Sequence, residues 1–114
     1  MSGGWVRICG YDELEPERGV AALVTGEQVA LFRTFDGMLY AIGNQDPFSG
    51  AFVMSRGIVG SAGAAPTVAS PVFKQPFDLR TGRCIADPAV SVAVHDVRCV
   101  DGAVEARLRR SEPV

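Results

Sequence analysis

Side chains able to do chemistry are few in this chain and fall in three places. Two proline-bearing loops stand out first: Gly43-Asn44-Gln45-Asp46-Pro47-Phe48-Ser49-Gly50 and Ser70-Pro71-Val72-Phe73-Lys74-Gln75-Pro76-Phe77-Asp78-Leu79. Asp46 is a carboxylate for a hard cation, yet calcium takes about six or more oxygens and no neighbouring set of oxygen donors accompanies it. At a loop tip before proline, a carboxylate more often bonds nearby amides and fixes a turn. The second place is His95, the single histidine, followed by Asp96. An aspartate-oriented imidazole is a general base only beside a nucleophile or substrate. Within the alternating run Ser91-Val92-Ala93-Val94-His95 it reads as a half-exposed strand histidine. The third is the set Cys9, Cys84 and Cys99, which with His95 has the atom types of a zinc site. It lacks the paired ligands, about two to four residues apart, that structural zinc sites show. There is no Cys-x-x-Cys pair and no nucleophile elbow. No catalytic residue and no metal-ligating set follows from these residues.

The elements that would position these groups read as strands. Trp5–Cys9 alternates and opens the chain as an edge strand. Val20–Val24 and Gln28–Thr34 are apolar runs joined through Thr25-Gly26-Glu27. Asp36-Gly37 and Asp101-Gly102 are dipeptides that tolerate positive φ, and they predict hairpins joining Leu31–Phe35 to Met38–Ile42 and Val94–Val100 to Ala103–Leu108. Arg80-Thr81-Gly82-Arg83 closes a third hairpin on Phe77–Leu79. No segment holds a helical period with caps at both ends. Asp12–Glu17 is one turn at most, with Asp12 the expected cap for the amide of Leu14 or Glu15. Many short strands with Gly/Pro punctuation predict an all-β sandwich or barrel.

Gly57–Pro66, with glycines at 57, 60 and 63, is expected to be an irregular, mobile surface loop. A phosphate cradle needs amides feeding a helix N-terminus, and here Pro66 and β-branched Thr67-Val68 follow instead. The tail from Arg107 loses its apolar pattern after Leu108 and is expected to fray.

Composition narrows the functional classes. The 114 residues, 47% hydrophobic and 21% charged, suit one domain able to bury its own core. A net charge of −2 gives no field for nucleic acid or anionic lipid, so neither is an expected partner. No apolar run approaches the ~20 residues of a membrane span, and the start Met-Ser-Gly-Gly-Trp lacks a basic and apolar leader pattern. Three cysteines without close pairing read as free thiols in a reducing compartment, so the expected location is cytoplasmic.

The two loops, the Phe77-Asp78-Leu79 strand and the Thr81-Gly82 turn together resemble a Rieske domain. Such a domain presents an iron–sulfur cluster from Cys-Pro-His in the first loop and Cys-Pro-x-His in the second. Pro47, Pro71 and Gly50 match that spacing, and the four ligand positions fall on Asp46, Phe48, Ser70 and Phe73. Two thiolates and two imidazoles are the requirement of such a centre, and these four residues supply none of them. Narrower stretches carry a closer likeness. These are Trp5-Val6-Arg7-Ile8-Cys9, Gly26–Arg33, Tyr40–Phe48 with its Asp-Pro-Phe, Ser55-Arg56-Gly57, Ser70-Pro71-Val72-Phe73-Lys74-Gln75 and Phe77–Cys84. They are similar, over almost the whole chain, to the small subunits of assimilatory NAD(P)H-dependent nitrite reductase.

That resemblance implies a single Rieske-like (ISP-type) antiparallel β-sandwich over 1–114. A smaller subdomain, about 44–79, is the vestige of a cluster-binding unit. It implies a small subunit with no catalytic, cofactor or metal residues of its own, whether or not it counts as an enzyme. FAD, an iron–sulfur cluster and sirohaem then belong to a large partner subunit that reduces nitrite to ammonium. If the loops meet as in a Rieske domain, Phe48 and Phe73 converge where a cluster would lie. Pro47, Phe48 and Phe73 then make a docking tip with Arg56, Lys74 and Gln75 as polar rim. The alternative is a cluster-less Rieske-like adaptor, or a small-molecule-binding β domain, serving another oxidoreductase.

Overall fold

Alternating apolar residues and left-handed turn positions divide the chain into short strands. The computed structural model describes residues 4–109. Its strands are β1 (Val6–Gly10), β2 (Gly19–Val24), β3 (Glu27–Arg33), β4 (Leu39–Gly43), β5 (Ile58–Ala62), β6 (Ala65–Ala69), β7 (Pro76–Asp78), β8 (Val94–Val100) and β9 (Ala103–Arg107). Six form one antiparallel sheet in the order β1-β9-β8-β4-β3-β2, and β5-β6-β7 form a second. Single 3₁₀ turns at Tyr11–Glu13 and Met54–Arg56 are the helical content of the described residues. The all-β architecture with a smaller appended sheet is the one expected from the sequence.

Two cores meet back to back across β3 and β4. Val29, Leu31 and Ala41 point into one, with Val24 and Ala106; Val6, Ile8, Val97 and Leu108 close it. Ala30, Phe32 and Ile42 point the opposite way and pack against Met54, Val68, Phe77, Leu79, Cys84 and Val92. A strand buried on both faces cannot alternate apolar with polar, which is why Val29-Ala30-Leu31-Phe32 is continuously apolar. The second core fastens the small sheet, and the loops it carries, to the large one.

Three local expectations change. Gly57–Pro66 is not an irregular loop: β5 and β6 pair from Ile58↔Ala69 to Ala62↔Ala65 around a turn in which Gly63 has φ +61°. Small residues hid the alternation that period reading depends on. Gly57 is required for another reason, since a Cβ there would lie 2.5 Å from the Ala69 carbonyl oxygen. Asp12 makes no side-chain cap; the turn starts at Tyr11, and the Gly10 amide donates instead to Glu13 Oε1 at 2.6 Å. Leu108 and Arg109 do not fray: Leu108 packs on the first core and the Arg109 amide donates to His95 Nδ1 at 3.1 Å. The rest of the expected frayed tail lies outside the described residues.

Gly82, in the turn after β7, meets the segment that leads into β8. It adopts φ +79°, its carbonyl accepts from the Val92 amide at 2.8 Å, and a Cβ would stand 2.2 Å from the Val92 oxygen. Gly82→Ala combines left-handed strain of ~1–2 kcal/mol with overpacking of ~1–3 kcal/mol. Its urea midpoint should therefore fall well below that of Gly63→Ala, where the added methyl meets open space and the backbone strain acts alone.

Candidate functional site

One six-residue turn is built three times around the candidate site. At Asp46 the amide donates to the Ala51 carbonyl (2.8 Å), the Gly50 amide returns to the Asp46 carbonyl (2.7 Å), and the Phe48 amide donates to Asp46 Oδ1 (2.8 Å). At Ser70 the same three bonds join Gln75, Lys74 and Val72, the last to Ser70 Oγ (3.1, 2.9 and 3.3 Å). At Asp78 they join Arg83, Gly82 and Arg80 (2.8, 2.7 and 2.8 Å). The fifth residue is left-handed each time: Gly50 at +80°, Lys74 at +61° and Gly82 at +79°. The first side chain caps its own turn, and the left-handed residue closes it.

The first two turns face one another. Asp46 and Ser70 are buried, and the Ser70 hydroxyl donates to Asp46 Oδ2 at 2.5 Å. Burial alone would push the Asp46 carboxyl up. The hydrogen bonds from Ser70, the Phe48 amide and Ser49 outweigh it and hold the carboxyl below the usual carboxylate range. A charge-assisted bond of this kind is among the stronger ones a protein makes. Behind it, buried Asn44 fixes the first loop. Its side-chain amide donates to Gln28 Oε1 (3.0 Å) and the Phe52 carbonyl (3.3 Å), and its Oδ1 accepts from the Ser55 amide (2.8 Å).

The two phenylalanines do not share one fate. Phe48 packs on Phe77, with ring centroids 6.1 Å apart, and is 38% exposed. Phe73 is 58% exposed, so it stands out from the tip and does not fill the space beside Phe48. Exposed Phe52 and Val72 extend the apolar surface. The expected polar rim is only partly there. Lys74 reaches back to the Pro71 carbonyl (3.1 Å), and half-buried Gln75 turns its side chain toward Cys84. Arg56 lines a separate groove with Glu17, Gly19 and Ile58. Asn44 and Val72 were missed by sequence reasoning. A polar residue directly after a buried strand was the available signal for Asn44.

His95 is buried, not half-exposed, because β8 is flanked by β4 and by the chain that follows β9. Burial pushes its pKa below the ordinary histidine value. Its Nδ1 accepts the Arg109 amide, so this nitrogen carries a lone pair. Asp96 binds Arg109 (2.7 Å) and Arg107 (2.9 Å), which hold its carboxyl low, and does not orient the imidazole. Cys9 and Cys99 both register on Val104 from opposite sides of β9, which sets them roughly 9–10 Å apart at ordinary strand spacing, too far for a disulfide. Among the described residues, no three or more His, Cys, Asp or Glu side chains gather as a metal site. The saturated Asp46–Ser70 pair and the two rings do not fit a [2Fe–2S] centre, which needs soft donors aimed at iron.

The family profile of the Rieske-like [2Fe-2S] domain matches residues 4–107. The nitrite reductase (NADH) small subunit of Salmonella typhimurium is 44% identical over 104 residues, covering 90% of this chain and 96% of that one. A Mycobacterium tuberculosis chain described as a candidate NADH-dependent nitrite reductase small subunit superposes with a TM-score of 0.89. It is 50% identical and covers 95% of this chain and 96% of its own. The nitrite reductase [NAD(P)H] large subunit of Klebsiella oxytoca is 39% identical over 100 residues, which are 88% of this chain but 10% of that protein.

Removing either half of the loop bridge should be costly and non-additive. Asp46→Asn and Ser70→Ala are each expected to lose about 1–3 kcal/mol in urea unfolding, and the double variant less than their sum. Because the folded Asp46 pKa is depressed, its contribution is present above the unfolded value and lost as pH falls through the folded one. Asp46→Asn should thus flatten the stability profile below about pH 4. His95 acts at higher pH. The unfolded chain binds its proton first, so stability falls as pH drops below about 6.5, and His95→Gln should remove that slope.

Proposed function

We propose that this chain, which belongs to the Rieske-like [2Fe-2S] domain family and within it to the nitrite reductase (NADH) small subunits, works as the cluster-free small subunit of an assimilatory NAD(P)H-dependent nitrite reductase. The large subunit carries the six-electron reduction of nitrite to ammonium, with FAD, an iron–sulfur cluster and sirohaem as its redox groups. The small subunit holds no reacting group and binds no cofactor or metal of its own. The observation that carries this reading is the Klebsiella oxytoca large subunit. A stretch similar to nearly all of this chain is covalently part of it, so the two functions travel on one polypeptide there. Linkage of that kind replaces a docking equilibrium by a high effective concentration, and it favours a partner that stays bound through turnover.

Docking is assigned to the loop tip. Pro47, Phe48 and Phe73, with Lys74 and Gln75 beside them, offer rings with a polar surround, the composition that dominates interface energy. Exposed Phe52 and Val72 belong to the same surface; Arg56, on its separate groove, is a peripheral member. Unpaired Cys9, Cys84 and Cys99 suit a reducing compartment, and the reading places the complex in the cytoplasm. Among the described residues no helix is long and apolar enough to cross a membrane.

Two measurements test this. Iron, sulfide and zinc analysis of the purified chain should give far less than one equivalent of each and no visible absorption; stoichiometric metal overturns the cluster-free role. Phe73→Ala and Lys74→Glu should remain folded, because neither side chain is buried. Each should weaken capture of the large subunit, Phe73→Ala by about 2 kcal/mol, and slow NADH-dependent nitrite consumption in proportion. Phe48→Ala is less informative, since loss of its contact with Phe77 lowers stability as well.

A further inference from the structure

The β2 edge of the large sheet is left open. β2 joins β3 through Thr25 and Gly26, both at positive φ (+43° and +91°), a two-residue turn whose flanking pair Val24↔Glu27 is hydrogen-bonded. Alternation along the ladder then pairs Ala22 with Val29 and Val20 with Leu31, and turns the amide and carbonyl of Ala21 and Leu23 away from β3. No strand among the described residues takes them up. The 3₁₀ turn Met54–Arg56 covers only the Gly19 end, where the Ser55 carbonyl lies 2.2 Å from the position of a glycine Cβ.

This edge lacks the usual defences. Gly19-Val20-Ala21-Ala22-Leu23-Val24 contains no charge and no proline, and Leu23 is 68% exposed. The opposite edge, β1, carries Arg7 and a register shift between Arg7 and Cys9. Proteins blunt a free edge with such charges and bulges, because an unpaired strand is a template for another. One edge of the sheet is protected and the other is not.

We infer that β2 receives an extended segment of the large nitrite reductase subunit as an added strand, an assignment that rests on the functional reading above. Six residues of strand pairing bury far less than the roughly 1,200 Å² of a stable interface, which argues against two copies of this chain joined edge to edge. A larger partner covers more. Leu23 opens onto a groove of about 570 Å³ that runs past Gln28 and Asn44 to Pro47 and Phe52. The groove joins the edge to the loop tip, so a single protein surface spans both. The added strand supplies main-chain bonds to Ala21 and Leu23, and the groove, with Leu23 and Phe52 at its ends and Gln28 and Asn44 between, receives its side chains.

The test uses the full chain and the large subunit. Ala21→Pro removes an outward amide and no β2–β3 bond, so it should fold; Leu23→Lys adds a charge at the edge and serves if the proline variant does not fold. Either should weaken binding of the large subunit at least tenfold while Tm stays near the parental value. In the parental complex, exchange of the Ala21 and Leu23 amides should slow at least tenfold. Parental affinity in folded variants, or unchanged exchange, overturns the edge assignment and leaves the tip reading to Phe73→Ala. If the parental chain shows no binding at all, the functional reading and this inference fall together. If the chain self-associates in sedimentation, and Ala21→Pro abolishes that without touching large-subunit binding, the occupant is a second copy and the inference is wrong.

Discussion

The Ser70 hydroxyl and the Asp46 carboxylate come from loops 24 positions apart in sequence, and the bond between them ties the two loops together. Each partner is also the cap of its own turn. The Phe48 amide binds Asp46 Oδ1 while Ser70 binds Oδ2, and Ser70 Oγ accepts the Val72 amide while donating to Asp46. Loop shape and loop pairing are therefore one network. A buried carboxylate is costly unless its charge is met by donors, and here hydroxyl and amide donors meet it.

What stands behind that network is the two-sided burial of β3 and β4. The small sheet is held to the large one through Phe32, Ile42, Met54, Val68 and Phe77, so the loops project from a packed base. Gly82 and Gly57 allow the close backbone approaches this requires. Exposed apolar side chains outside both cores include Phe52, Val72 and Phe73 at the tip, Leu23 on the edge, and Phe35, Met38 and Ile58 elsewhere.

Much of the site was legible because turns are local. Asp46 before proline as a turn residue and Thr81-Gly82 as a hairpin turn follow from short-range backbone chemistry. Side-chain direction was not legible. The proposed meeting of Phe48 with Phe73 failed: Phe48 packs on Phe77 and Phe73 stands exposed. His95 was read from its strand alternation, while its burial comes from the chain after β9, more than ten positions later. The β5–β6 hairpin was missed since Gly, Ser and Ala give no period to read.

By itself the sequence determined the strand-rich class, the hairpin turns and the lack of soft ligands at the four loop positions, because each depends on residue type and near neighbours. Tertiary structure alone decided that Asp46 and Ser70 bond to each other, that Arg56 lies off the tip, and that one sheet edge is defended by a bulge while the other is open. Those depend on how distant segments are brought together, and the free energy that does so is spread over two cores. No short stretch of the chain contains it.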